Sequence, residues 1–158
     1  MYYYPNGIKG TGFATKELIR PDGTGPIPNR LGTYELVAFT KHDYVSSEDS
    51  NPFHLIERRM CGILTAMGNF SFDAKLKPGD TCEVPRENEP KTCLVFDEYI
   101  PEGKEFFIGS RKHGLLLVIE IFPEEMAYAR EIGSSDLLEK LKEKGYYPYS
   151  DMDRESVV

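Results

Sequence analysis

Leu115 to Phe122, L-L-L-V-I-E-I-F, is the longest apolar run in the chain, broken only by Glu120 and stopped by Pro123. A run this short has the length of a buried strand and lies far below the ~20 residues that a membrane helix needs. Pro123 cannot donate to a sheet ladder, and Glu124 and Glu125 favour the positive end of a helix dipole. The stretch therefore ends a strand and opens a helix. Neighbouring carboxylates project roughly 100° apart on a helix, whereas a catalytic acid/base pair must converge on one substrate atom. Glu124 and Glu125 read as dipole partners, not as a catalytic pair.

Other elements can be read on either side of this anchor. Thr33 to Thr40, T-Y-E-L-V-A-F-T, is apolar on both faces, as a central strand would be. Asn51-Pro52 opens a helix, since Asn caps free amides and Pro at the first position needs no amide partner. Along residues 52 to 67 the apolar side chains Phe53, Ile56, Met60, Ile63, Leu64 and Met67 recur at helical spacing, and Gly68 suits a left-handed cap. Three more strands are expected at Thr81–Val84, Thr92–Tyr99 and Glu105–Gly109. Pro101 to Lys104 reads as a hairpin turn between the last two, and Arg111 to Gly114 as a link into Leu115–Phe122, giving a four-stranded antiparallel meander. A last helix is expected from Asp136 to Lys144, with Asp136 and Glu139 as a capping box and Gly145 as its stop. Residues 1 to 30 are rich in glycine and proline and read as irregular, with a short strand at Phe13 to Ile19.

The chain of 158 residues suits one domain, 1–158, which would bury roughly 70% of its unfolded surface. Its formal charge of -7 repels a phosphate backbone, so nucleic acid is not an expected partner. No segment reads as a membrane span or a secretory signal, and a cytoplasmic location is expected. Cys61, Cys82 and Cys93 form an odd set without a C-x-x-C pair, which speaks against a zinc ribbon or a disulfide scaffold.

Few residues have the spacing that chemistry requires. His54 and Cys61 share one side of the first helix but lie about 10 Å apart along its axis, too far for the roughly 3 Å contact of a Cys/His dyad. A cysteine- or histidine-dependent hydrolase or transferase, with His42 or His113 supplied from a loop, is the enzymatic alternative. No His or Cys pair has zinc spacing, and no metal or cofactor is expected. Arg111-Lys112-His113 has the charge to grip an anion, although charged hairpin tips are commonly just solvated.

The order of these motifs is more specific than any one of them. T-Y-E-L-V-A-F-T, N-P-F-H-L-I-E-R-R-M, the K-P-G-D turn, C-L-V-F-D-E-Y, L-L-L-V-I-E-I-F-P-E-E-M-A-Y-A, G-S-S-D-L-L-E-K-L and S-D-M-D-R-E-S-V-V follow one another over residues 31 to 158. In this order they resemble the suppressor of fused (SUFU) family. Residues 1 to 30 match loosely and read as shortened relative to the family. The resemblance implies an α+β fold, an α/β sandwich with a central, mostly antiparallel sheet and flanking helices. It also implies a non-enzymatic protein-binding domain. Eukaryotic members restrain a transcription factor through an extended peptide, while stand-alone bacterial members resemble immunity proteins of polymorphic toxin systems. The expected function is therefore immunity, neutralising a toxin by surface binding, with a basic toxin domain as partner. A peptide-binding or chaperone-like scaffold is the further alternative. Asp151, Asp153 and Arg154 are the candidate binding residues. A structural alternative makes Arg154 the pin of a final strand, paired with an acid of the sheet.

Overall fold

Strand β7 (Arg111–Ile121) is the axis of the architecture. Before it in the chain come β1 (Tyr2–Tyr3), β2 (Thr11–Ala14), β3 (Thr33–Thr40), helix α1 (Phe53–Phe70), β4 (Thr81–Val84), β5 (Thr92–Tyr99) and β6 (Phe106–Ile108). Helices α2 (Pro123–Glu131) and α3 (Ser134–Glu143) follow it. The computed structural model describes residues 2–3, 8–44, 53–101 and 105–158. The Asn51-Pro52 helix start, and most of the turn read at Pro101 to Lys104, lie outside them.

The strands form a mixed sheet in the order β1-β2-β3-β7-β5-β4, with β6 also paired to β7. On one flank β7 runs parallel to β3, from Thr33↔His113 to Val37↔Leu117. On the other flank it is antiparallel to β5 over Leu115–Ile121 and to β6 over Arg111–His113. The other ladders are antiparallel. The expected α+β fold with a mostly antiparallel sheet is present.

Alternation along the three central strands divides the core into two layers. Tyr34, Leu36, Leu94, Phe96, Leu116 and Val118 face α1, which lays Phe53, Met60, Ile63, Leu64 and Met67 upon them. Val37, Phe39, Val95, Leu117, Ile119 and Ile121 face α2 and α3, which supply Met126, Leu137 and Leu141. The apolar run at 115–122 is continuous because both of its faces are covered.

The expected meander does not form. Phe106–Ile108 makes its hairpin with β7, and β5 pairs with β7 directly, so β5 and β6 lie along the same flank of one long strand. The expected link at Arg111 to Gly114 is the beginning of that strand. Arg111 and Lys112 are exposed, so hydrophobic pattern could not reveal that their backbone is paired on this flank. Gly68 is also not a cap. It lies inside α1, where a Cβ would sit 3.3 Å from the Leu18 side chain, and its bareness admits Leu18 to the core. Helix α3 starts earlier than the capping box implied, with Gly133 at the cap and Asp136 within the first turn. The strand expected at Phe13 to Ile19 is instead β2, ending at Ala14.

Candidate functional site

Residues 149–154 extend the sheet where β3 and β7 part. Tyr149 bridges Phe39 in parallel, and the Ser150 N–H donates to the Phe39 carbonyl at 2.8 Å. The Ser150 hydroxyl donates to the Val118 carbonyl and accepts from the Glu120 N–H at 3.0 Å, so this residue holds both strands. The tail is a wedge with an isolated bridge, not the full final strand that was expected.

This wedge presents the three candidate residues in different surroundings. Asp151 is buried: one carboxylate oxygen accepts the Thr40 hydroxyl at 2.5 Å and the other the Lys41 N–H at 2.8 Å. Asp153 is exposed and pairs with the Lys41 ammonium at 2.9 Å, which holds its carboxyl below the ordinary range. His42 approaches both acids, at 3.9 Å from Asp151 and 3.5 Å from Asp153. His42, Asp151 and Asp153 together place one potential metal ligand each within 4.8 Å of one another. Chain spacing gave no sign of this group, because His42 lies far along the chain from the two acids. Lys41 and the Thr40 hydroxyl already satisfy the carboxylates, so the cluster reads first as an ion-pair network.

The Arg154 side chain is buried and forms a two-pronged pair with Glu125, at 2.6 and 2.7 Å. The guanidinium lies 4.8 Å from the Phe122 ring centre and 5.2 Å from that of Tyr146. Glu125 also accepts the N–H groups of Phe122 and Val157. Arg154 thus pins the tail to the first turn of α2; its acid belongs to a helix rather than to the sheet. Glu124 is exposed while Glu125 is sealed, and the two do not converge. The Glu120 that interrupts the apolar run is likewise buried and paired with Arg59 of α1, whose Nε donates at 2.7 Å.

The groups nominated for nucleophilic chemistry are scattered. Cys82 and Cys93 sit on neighbouring strands but on opposite faces, and burial pushes both thiols up. Cys61 is exposed and borders a shallow cavity whose polar lining is Thr15, Lys16, Thr65 and Asn69, with no histidine or carboxylate among the described residues. His54 is exposed on α1 and faces Glu57 at 3.4 Å. No helix among the described residues is long and apolar enough to cross a membrane.

The family model for suppressor of fused protein (SUFU) matches residues 27–155, from just before β3 to the Arg154 pin. The chain belongs to the SUFU family. A comparison with curated proteins returns no match. The matched span contains α1, the central strands, both later helices and the tail, so the SUFU domain here includes both core layers. Membership makes this a protein-interaction domain with a protein partner.

Proposed function

We propose that this SUFU domain is a non-enzymatic immunity protein that neutralises a basic toxin domain by covering its surface. The observation that carries the reading is an apolar patch around β6. Ile100, Phe106 and Phe107 are exposed, with Glu105 and Lys112 beside them joined by an ion pair at 2.7 Å. Exposed apolar groups rimmed by charge are the usual anatomy of a protein-binding surface. Behind them a cavity of about 220 Å³ opens between Leu31, Tyr99 and Phe106, which suits one anchoring side chain from a partner. The net charge of -7 supports a basic partner through electrostatic steering.

The raised thiols of Cys82 and Cys93, and the lining beside Cys61, favour binding over a cysteine hydrolase or transferase. Asp153, beside Lys41 and His42 near the far end of β3, offers a separate polar contact. Asp151 and Arg154 support that contact from within by holding the tail in place.

The test pairs the protein with a toxin domain encoded beside its gene, measuring protection of cells and affinity in vitro. Phe107→Asp should keep the parent melting temperature and weaken binding at least ~100-fold, the effect of losing a hot-spot aromatic. Asp153→Asn should chiefly slow association and reduce its salt dependence. Failure of the parent protein to protect against or bind the toxin would reject the immunity reading. Full affinity in a folded Phe107→Asp variant would reject the patch.

A further inference from the structure

The first residues of β7 border a larger cavity, of about 730 Å³, lined by Arg111 and His113 together with Glu17, Ile19, Arg20 and Asp22. His113 is 6% exposed, and its Nδ1 is buried without a hydrogen-bond partner. An unsatisfied buried nitrogen is costly, and in a native fold it calls for a missing partner. Arg111 makes a single described hydrogen bond, to the Asp22 carbonyl at 3.2 Å. Arg20 lies over the Phe72 ring at 5.5 Å. Both guanidinium groups therefore keep donors free for a ligand.

Gly23 shows how closely the chain is fitted around one of these cations. Its φ is 80°, and a Cβ there would fall 1.5 Å from Arg111 Nη1, so only glycine leaves the guanidinium its place. Asp22 Oδ1 accepts the Thr24 N–H at 2.9 Å and the Thr24 hydroxyl at 2.6 Å, and these bonds, with the nearby Arg20 charge, hold its carboxyl below the ordinary range.

We propose that this cavity binds a monocarboxylate with a short apolar body, one oxygen held by Arg111 and Arg20 and the other accepting a hydrogen bond from the buried Nδ1–H of His113. A guanidinium fork matches a planar carboxylate. Ile19 and Pro21 provide an apolar wall. Glu17 and Asp22 also border the cavity and balance the two arginines, so a monoanion adds one charge to a neutral lining where a dianionic phosphate would add two. The carboxylate has two possible sources, a free small acid or the end of a peptide chain. The inference does not rest on the immunity reading, although His113 also borders the smaller cavity behind Phe106.

The experiment is a titration of the full chain with butyrate, following the His113 ring and Arg111 side-chain resonances by NMR. Methyl butyrate, inorganic phosphate, and a short peptide with a free or amidated C-terminus are run in parallel. Saturable shifts at both residues with butyrate, absent with the ester, are expected. Arg111→Gln and Gly23→Ala, each checked for a native spectrum, should weaken binding roughly ten- to a hundredfold, the range for one lost charge-assisted hydrogen bond. Phe107→Asp should leave butyrate binding unchanged, which separates failure of this proposal from failure of the patch. Tighter binding of the free-ended peptide than of butyrate identifies a chain terminus as the source; the opposite order identifies a small acid. No saturable shift with butyrate or the free-ended peptide, equal binding of the ester, tighter binding of phosphate, or full affinity in folded Arg111→Gln would overturn the proposal.

Discussion

Arg154 illustrates how a single side chain can fasten a terminal segment. Its charge is removed from water, which would be unfavourable alone, but Glu125 meets it with two oxygens and two rings cover its faces. Breaking such a pair from one side leaves an uncompensated buried charge, at a cost of roughly 3–5 kcal/mol. Arg154→Ala should lower the unfolding free energy by that order in urea melts of the free protein. Arg154→Lys should restore little of it, because an ammonium cannot reproduce the fork. A melt indistinguishable from the parent would show that Glu125 finds other compensation. The sequence allowed the role of Arg154 as a pin to be read, but not its partner: Glu125 looked like an ordinary first-turn acid until the tail was seen crossing α2.

Among the elements, α1 was the most legible and the β6–β7 hairpin the least. The face of Phe53, Met60, Ile63, Leu64 and Met67 follows directly from helical spacing, since each repeats the demand to leave water. Met60 is 2% exposed at the middle of that face. Met60→Asp places an unpaired carboxylate there and should remove several kcal/mol of the roughly 5–15 kcal/mol that holds a domain together. The check is thermal unfolding; a retained midpoint would mean that the face is not the one packed on the sheet. The tight turn of that hairpin, and the start of β7 at Arg111, were missed for an opposite reason. The hairpin's paired segments span three residues each, Phe106, Phe107, Arg111 and Lys112 among them are exposed, and the pairing is specified by backbone hydrogen bonds and a two-residue turn at Gly109-Ser110 rather than by an apolar stripe.

At the scale of the whole molecule, each core layer contains a tyrosine that resists ionisation. Burial pushes Tyr34, on the α1 side, up to about 12. Tyr147, on the side of α2 and α3, is raised by burial and then by the Asp97 carboxylate that accepts its hydroxyl at 2.9 Å. A raised pKa means that the folded form holds its proton more tightly than the unfolded form, for which the value is about 10. The stabilisation is complete below that pH and is lost as pH climbs from about 10 through about 12, with a slope of up to ~1.4 kcal/mol per pH unit for each proton. Urea midpoints measured across this window should fall less steeply for Tyr34→Phe than for the parent. Identical slopes would show that Tyr34 ionises as freely in the fold as in the open chain. The candidate sites also belong to this scale. His42 meets Asp151, and Arg20 shares a cavity with His113, only because the sheet joins distant segments; motif spacing reports proximity along a chain and has no access to such meetings.

The parallel pairing of β3 with β7 brings together segments some eighty positions apart, and Ser150 must then enter between them. Closing long loops costs entropy before any contact repays it, so local antiparallel ladders such as β6–β7 have the earlier opportunity to form. On that ordering the wedge is a late arrival in folding. The surface around Asp153 then exists only on a finished molecule, and a partner that reads it would be discriminating between a completed chain and one still being assembled.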